Sequence, residues 1–294
     1  METRIYVDGR ITAPEAARIS VLDRGFLFGD SVYEVFWWHR GALIQADDHF
    51  ARLERSAGRL YMELQFTREE LAAAVRETVQ AAGAGPDDDA YVRLIVTRGS
   101  GPLGLDFTAV VKRSLIVIVA PADRPTAERI EQGLRIALID RQRMSIKALD
   151  PSAKTGNYLN NVLALHEAHL AEADDALMLN DDGEVTEATT ANVYVIRAGA
   201  LTTPPMAAGI LRGTTRTRIL ALCADLGILA TEQTLEPADV AAADEVFLSS
   251  SVRGILPVTA VDGRPIGNGR MGPVTRRIRA RFEQAARDEA AGQA

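Results

Sequence analysis

Cysteine is almost absent: Cys223 stands alone in 294 residues. One thiol excludes an internal disulfide framework and a cysteine-built metal cluster, and it predicts a reducing, cytoplasmic setting. Set in RTRILALCADLGI, Cys223 reads as a small buried helix residue rather than a nucleophile. No apolar run reaches the ~20 residues that cross a bilayer, and the opening METRIYVDGR is polar and strand-like, unlike a signal peptide. Positive charge is in deficit too. The formal net charge of −7 argues against a nucleic-acid or anionic-membrane partner. Lysine is scarce: among 33 basic residues it occurs only at Lys112, Lys147 and Lys154. What is present, 47% hydrophobic and 25% charged residues, is ordinary for a globular chain long enough for two domains.

Organisation follows from hydrophobic period. IYVDGRIT carries an Asp-Gly hairpin turn, and DSVYEVFWWHRGALIQ alternates around an Arg-Gly turn. From Asp47 the period becomes helical, with Phe50, Leu53, Ala57 and Leu60 on one face and Asp47 or Asp48 as the cap. A second helix, 68–82, follows Thr67 with Glu70 in capping-box position. AYVRLIVTRG and RSLIVIVAP are β-branched strand runs, and the polar ADRPTAERIEQG after them reads as a linker. Beyond it, strands interleave with helices expected at 156–172, 214–226 and 273–290.

Several motifs carry chemistry in one reading and none in another. GSGPLG fits G-x-G-x-x-G at Gly99, Gly101 and Gly104 but leads into a strand, so the nucleotide-binding reading fails for want of a helix. His166 and His169 lie three apart, not in the metalloprotease spacing, and no metal site is expected. In AAGILRGTTRTRIL, Thr214 and Thr215 open a helix whose N-terminus either binds an anion or is simply capped. FLSSSVRG supplies a second donor-rich turn, Ser249 to Ser251. Arg52 lies beside the apolar stripe of its helix, free either to snorkel or to turn inward onto an anion. Glu187 shares a strand face with Val185 and Thr189. If it points inward it needs a cation. Lys154, in PSAKTGNYLNNV, is either a solvated loop charge or an amine that loses its proton and attacks a carbonyl.

Six segments in order, DRGFLFGDSVYEV from Asp23, HFARL from His49, KTGNYLNNVLA from Lys154, EATTANVYV from Glu187, AGILRGTTR from Ala208 and FLSSSVRGILPV from Phe247, resemble class IV aminotransferases, the fold-type-IV pyridoxal phosphate enzymes. The resemblance spans nearly the whole chain. It implies an α+β fold of two α/β domains in the D-amino acid aminotransferase-like architecture, with the active site at the domain interface. The N-terminal domain is expected at 1–120, the linker at 121–132, and the C-terminal domain, with the cofactor lysine, at 133–294.

The resemblance also implies roles. The cofactor would be pyridoxal 5′-phosphate. Lys154 would bond its aldehyde and later shuttle a proton. Arg52, Thr214, Thr215 and Ser251 would hold its phosphate. Glu187 would pair with the pyridine nitrogen, Tyr158 would touch the phenolic oxygen, and Leu211 is a further cofactor contact. Phe28, Tyr33 and Val35 would form an apolar substrate pocket with Trp37 near its mouth. Tyr91, Arg93, Val252 and Arg253 would complete the substrate contacts. YVR and Gly104-Leu105 favour transamination between an L-branched-chain amino acid and 2-oxoglutarate. The lysine-to-tyrosine spacing instead resembles D-amino acid enzymes and lyases. D-amino acid or (R)-amine transamination is therefore the alternative, then aminodeoxychorismate lyase activity. A non-catalytic binding protein is the alternative from another class. A homodimer, or a higher homo-oligomer, is implied.

Overall fold

The computed structural model describes residues 1–110 and 112–293. The described chain forms two compact units. The first comprises Met1–Asp123, Ala153–Asn157 and the stretch from Ala286 on; the second comprises Arg124–Ser152 and Tyr158–Ala285.

In the first unit the elements are β1 (Arg4–Val7), β2 (Arg10–Thr12), α1 (Arg24–Phe28), β3 (Ser31–His39), β4 (Ala42–Leu43), α2 (Ala46–Arg59), α3 (Arg68–Ala81), β5 (Asp89–Thr97) and β6 (Ser114–Pro121). Its sheet has the order β2-β1-β6-β5-β3-β4, and every pair is antiparallel. Asp8 and Gly9 both take positive φ, 46° and 93°, the backbone that a two-residue hairpin turn demands. Strand side chains alternate between faces. Val32 and Phe36 of β3 and Val92 and Leu94 of β5 therefore share the face that packs with Leu53 of α2 and Val75 of α3. Each such side chain contributes roughly 1.5–3 kcal/mol on burial.

Thr67 caps α3 with the reciprocal Glu70 bond, as the spacing predicts. The start of α2 differs from expectation. Its N-cap is Gln45, in left-handed backbone at φ 56° with no side-chain cap, and Asp47 and Asp48 lie inside the first turn.

The second unit contains α4 (Ala127–Gln132), β7 (Leu134–Leu138), α5 (Leu159–Leu170), β8 (Asp175–Leu179), β9 (Val185–Ala188), β10 (Asn192–Arg197), β11 (Ala200–Thr203), α6 (Thr214–Asp225), β12 (Ala230–Glu232), α7 (Pro237–Ala241), β13 (Glu245–Ser250), β14 (Gly254–Val261), β15 (Arg264–Pro265) and most of α8 (Pro273–Gln293). Its sheet runs β12-β11-β10-β13-β14-β7-β8-β9, with β15 paired to β14. Residues 127–132 of the expected linker are helical, because Thr126 caps them by accepting from Arg129 N. Helix α5 begins at Leu159, later than expected, since Thr155 and Gly156 pair along β3. Among the described residues no helix is long and apolar enough to cross a membrane.

Candidate functional site

Residues 153–157 lie along the edge of β3. Tyr33 N donates to Lys154 O at 3.0 Å, Gly156 N donates to Ser31 O at 3.0 Å, and Val32 bridges Thr155. The approach is close: a Cβ on Gly156 would lie 2.4 Å from Ser31 Oγ and 3.1 Å from Gly29 O. On its other side Lys154 N donates to Ser56 Oγ of α2 at 3.0 Å. With its backbone held in this way, the lysine Nζ donates to Tyr33 Oη at 3.3 Å and sits 4.3 Å from the centre of that ring. The Arg93 guanidinium carbon lies 4.0 Å from the same ring centre. Both side chains thus lie against the Tyr33 ring, each within reach of its quadrupole.

Strand register explains the neighbours. Val35 pairs with Arg93 and Trp37 with Tyr91, so Tyr33, Val35, Trp37, Tyr91 and Arg93 line one face of the sheet. Trp37 is no pocket mouth, being 1% exposed and donating through Nε1 to Asp89 Oδ1 at 2.9 Å. Phe28 ends α1, and its ring centre lies 4.8 Å from the Arg24 guanidinium.

The opposite face holds a charge that sequence reasoning missed. Glu34 has no exposed surface. Its carboxylate accepts from Arg52 Nε and Nη2 at 2.7 and 2.6 Å, and lies 2.7 Å from His49 Nδ1. Arg52 has therefore turned inward. Burial alone would raise the Glu34 carboxyl. The Arg52 guanidinium and His49 outweigh it and hold the group at about 2. Burial pushes His49 down against the pull of Glu34, and the charges of Arg52 and Lys154 add to the lowering. Neutral His49 then donates its Nδ1 proton to Glu34. The available signal was alternation, which puts Glu34 on the apolar face of VYEVF.

The second unit gathers another set. Glu187, 5% exposed, accepts from Arg143 Nη2 and Nε at 2.9 and 3.2 Å on Oε1. On Oε2 it accepts from Asn192 Nδ2 and Leu211 N, both at 3.1 Å. Arg143 Nη1 donates to Asn161 Oδ1 at 3.3 Å, and Asn161 donates to Thr189 O at 2.7 Å. The cation that a buried Glu187 requires is thus Arg143, whose RQRM context carries no periodic signal.

Asn192 also donates to Leu211 O at 3.0 Å, which ties Glu187 to the segment leading into α6. A Cβ on Gly213, the N-cap of α6, would lie 2.1 Å from Asn192 Oδ1. Thr214 and Thr215 follow, 4% and 2% exposed, beside the N–H groups that a helix start leaves unpaired. Among the described residues the buried Thr215 Oγ1 finds no hydrogen-bond partner. An orphan hydroxyl at a helix N-terminus fits a phosphate. Ser251 and Val252 lie in the β13–β14 turn, half-buried and buried. Ser249 of the same run instead faces the core, 2.9 Å from Tyr194 Oη. Arg253 donates to Thr190 Oγ1 at 2.8 Å and lies 3.7 Å from Asp175. Tyr158 is half-buried at the N-cap of α5, while His166 and His169 are exposed. Among the described residues no group of three His, Cys, Asp or Glu could hold a metal ion.

The structure therefore joins Lys154, Tyr33 and Arg93 in one unit, and Glu187, Leu211, Thr214 and Thr215 through Asn192 in the other. Residues 31–261 match the family Amino-transferase class IV. A Methanocaldococcus jannaschii protein provisionally named a branched-chain-amino-acid aminotransferase is 35% identical over 95% of both chains. The D-alanine aminotransferase of Bacillus licheniformis is 32% identical over 98% of this chain and 99% of its own. A branched-chain amino acid aminotransferase from T.th., solved with pyridoxamine 5′-phosphate, superposes with a TM-score of 0.89 at 30% identity, covering 96% of this chain and 93% of that one.

Proposed function

Because the chain belongs to amino-transferase class IV, we propose that it transfers the amino group of an L-branched-chain amino acid to 2-oxoglutarate. It is a transaminase of fold type IV that uses pyridoxal 5′-phosphate. Bound, the cofactor supplies a carbonyl to take the amino group and a ring to withdraw electrons from the α-carbon.

The observation that carries the reading is the Lys154 amine, held by main-chain bonds on two sides and set against the Tyr33 hydroxyl. In this reading Lys154 Nζ binds the carbonyl and moves the α-proton of the donor. Thr215 Oγ1, Thr214 and the first N–H groups of α6 bind the phosphate. Arg52, whose orientation Glu34 fixes, and Ser251 are further phosphate contacts. Glu187, an anion beside Arg143, attracts the ring nitrogen, with Leu211 alongside and Tyr158 at the phenolic oxygen. Arg93 attracts the substrate carboxylate.

In this reading Val35, Tyr33, Tyr91 and Phe28 offer the apolar surface that a branched aliphatic side chain needs, and Val252 and Arg253 are further substrate contacts. An apolar pocket separates leucine, isoleucine and valine by only about 1–3 kcal/mol per methylene, so all three should react. The Bacillus licheniformis relative and the short lysine-to-tyrosine spacing make D-amino acids the second reading. A homodimer is supported by large apolar side chains left in solvent, among them Val21 at 72%, Phe26 at 66% and Leu159 at 69%.

The test is the half-reaction, followed by cofactor absorbance. L-leucine should bleach the visible band of the holoprotein within seconds, D-alanine and (R)-1-phenylethylamine far more slowly, and Lys154→Ala should lack the band. Bleaching by D-alanine alone would overturn the L-branched-chain assignment.

A further inference from the structure

In the transaminase reading Glu187 and the start of α6 meet the two ends of one molecule, and a single side chain lies between them. Asn192 opens β10 and is 6% exposed. Its backbone is set by register, opposite Ser249 of β13. The turn before it is closed by Ala188 N donating to Ala191 O at 2.8 Å. Asp175 Oδ1 ties the same turn down, accepting from Thr189 N at 3.2 Å and from Thr189 Oγ1 at 2.5 Å. Asn192 therefore has little freedom of its own.

An asparagine amide carries two N–H groups, and both are used here. Nδ2 donates to Glu187 Oε2 at 3.1 Å and to Leu211 O at 3.0 Å. Leu211 N returns to the same Glu187 oxygen at 3.1 Å, so three residues close a ring of hydrogen bonds three positions before Thr214. The carboxamide oxygen lies against Gly213. That glycine has φ −64°, open to any residue, so what it supplies is space: a Cβ would come 2.1 Å from Asn192 Oδ1. A buried network whose donors are spent is rigid.

We propose that Asn192 is a positioning residue that sets the separation between Glu187 and the first turn of α6. The proposal rests on the pyridoxal phosphate reading above and adds to it the part that makes one site of two halves. A molecule that engages both halves gains because its second contact is intramolecular, and the gain survives only while the spacing matches. A molecule that engages one half is indifferent to the spacing.

The experiment titrates the cofactor-free protein with pyridoxal 5′-phosphate, inorganic phosphate and pyridoxal, the last two each carrying one end. Wild type, Asn192→Ala, Gly213→Ala and the double variant are compared. Each single variant should weaken pyridoxal 5′-phosphate about tenfold and leave the other two probes within about twofold. Gly213→Ala acts by driving the carboxamide off its acceptors, so in the double variant the two losses should not multiply. Equal weakening of all three probes, unchanged affinity for pyridoxal 5′-phosphate, or a loss of about a hundredfold in the double variant overturns the proposal. If Asn192→Ala does not fold, either of the first two outcomes in Gly213→Ala overturns it. Wild-type protein that takes up no pyridoxal 5′-phosphate sinks the cofactor reading itself, whereas normal uptake by wild type with every probe weakened alike in the variants sinks only the role of Asn192.

Discussion

Removing a carboxylate from water costs several kcal/mol, and Glu34 bears that cost through Arg52 and His49 alone among the bonds described. Its ionisation ties stability to acid. Below about pH 6.5 the unfolded chain takes up a proton that folded His49 resists; between about 4.5 and about 2 it takes up another that Glu34 resists. Where the unfolded state binds more protons, stability falls as pH falls. The stabilisation is therefore complete above about pH 6.5 and lost on acidification, His49 first and Glu34 second. Glu34→Gln should cost about 3–5 kcal/mol at pH 7, because Arg52 stays buried and charged. The gap to wild type should narrow as pH drops towards 3; a gap in melting temperature independent of pH would count against this account. Thr215→Val is the converse case. It removes a buried hydroxyl with no hydrogen-bond partner among the described residues, so the cofactor-free protein should melt no lower than wild type. Cofactor affinity should fall about tenfold or more, the worth of one bond to a charged group. Titration of the apoprotein with cofactor checks it.

At the scale of elements, what could be read was what is local. Helix α3 was legible because Thr67 and Glu70 sit three residues apart and satisfy each other. The start of α2 was not. Asp47 and Asp48 look like caps, yet the acceptor for Gln45 N is Glu289 Oε1 at 2.7 Å, 244 positions along the chain. Glu289→Ala should lower stability by about 0.5–2 kcal/mol, the usual worth of a cap, read as a shift in denaturation midpoint at constant slope. A loss no larger than that of an exposed surface substitution would deny Glu289 this role. The same distance rule explains the site. Alternation pairs Tyr33 with Val35 and Tyr91 with Arg93, but only the register of β3 against β5 puts the two pairs on one face. Glu34 needed a helix residue 18 positions away, and Glu187 needed Arg143 across 44. Arg52 lay beside a helical stripe without its acceptor being legible, and Arg143 stands in no pattern that periodicity can flag.

For the molecule as a whole, the scarcity of lysine becomes an experimental tool. Lys112 and Lys147 are exposed, while Lys154 is half-buried beside Tyr33. Borohydride reduction of the holoprotein should fix cofactor mass on the one peptide that contains Lys154. Substantial label on either of the other two would deny Lys154 its special standing. The same lysine bears on how the protein is made. Strands β1 to β6 leave the ribosome before residues 153–157 exist, so the flank of β3 from Ser31 to Tyr33 waits with its hydrogen-bonding groups bare. Such an edge invites pairing with strange chains. The segment that contains Lys154 is thus also the patch that seals the nascent sheet, and Glu289 reaches α2 later still.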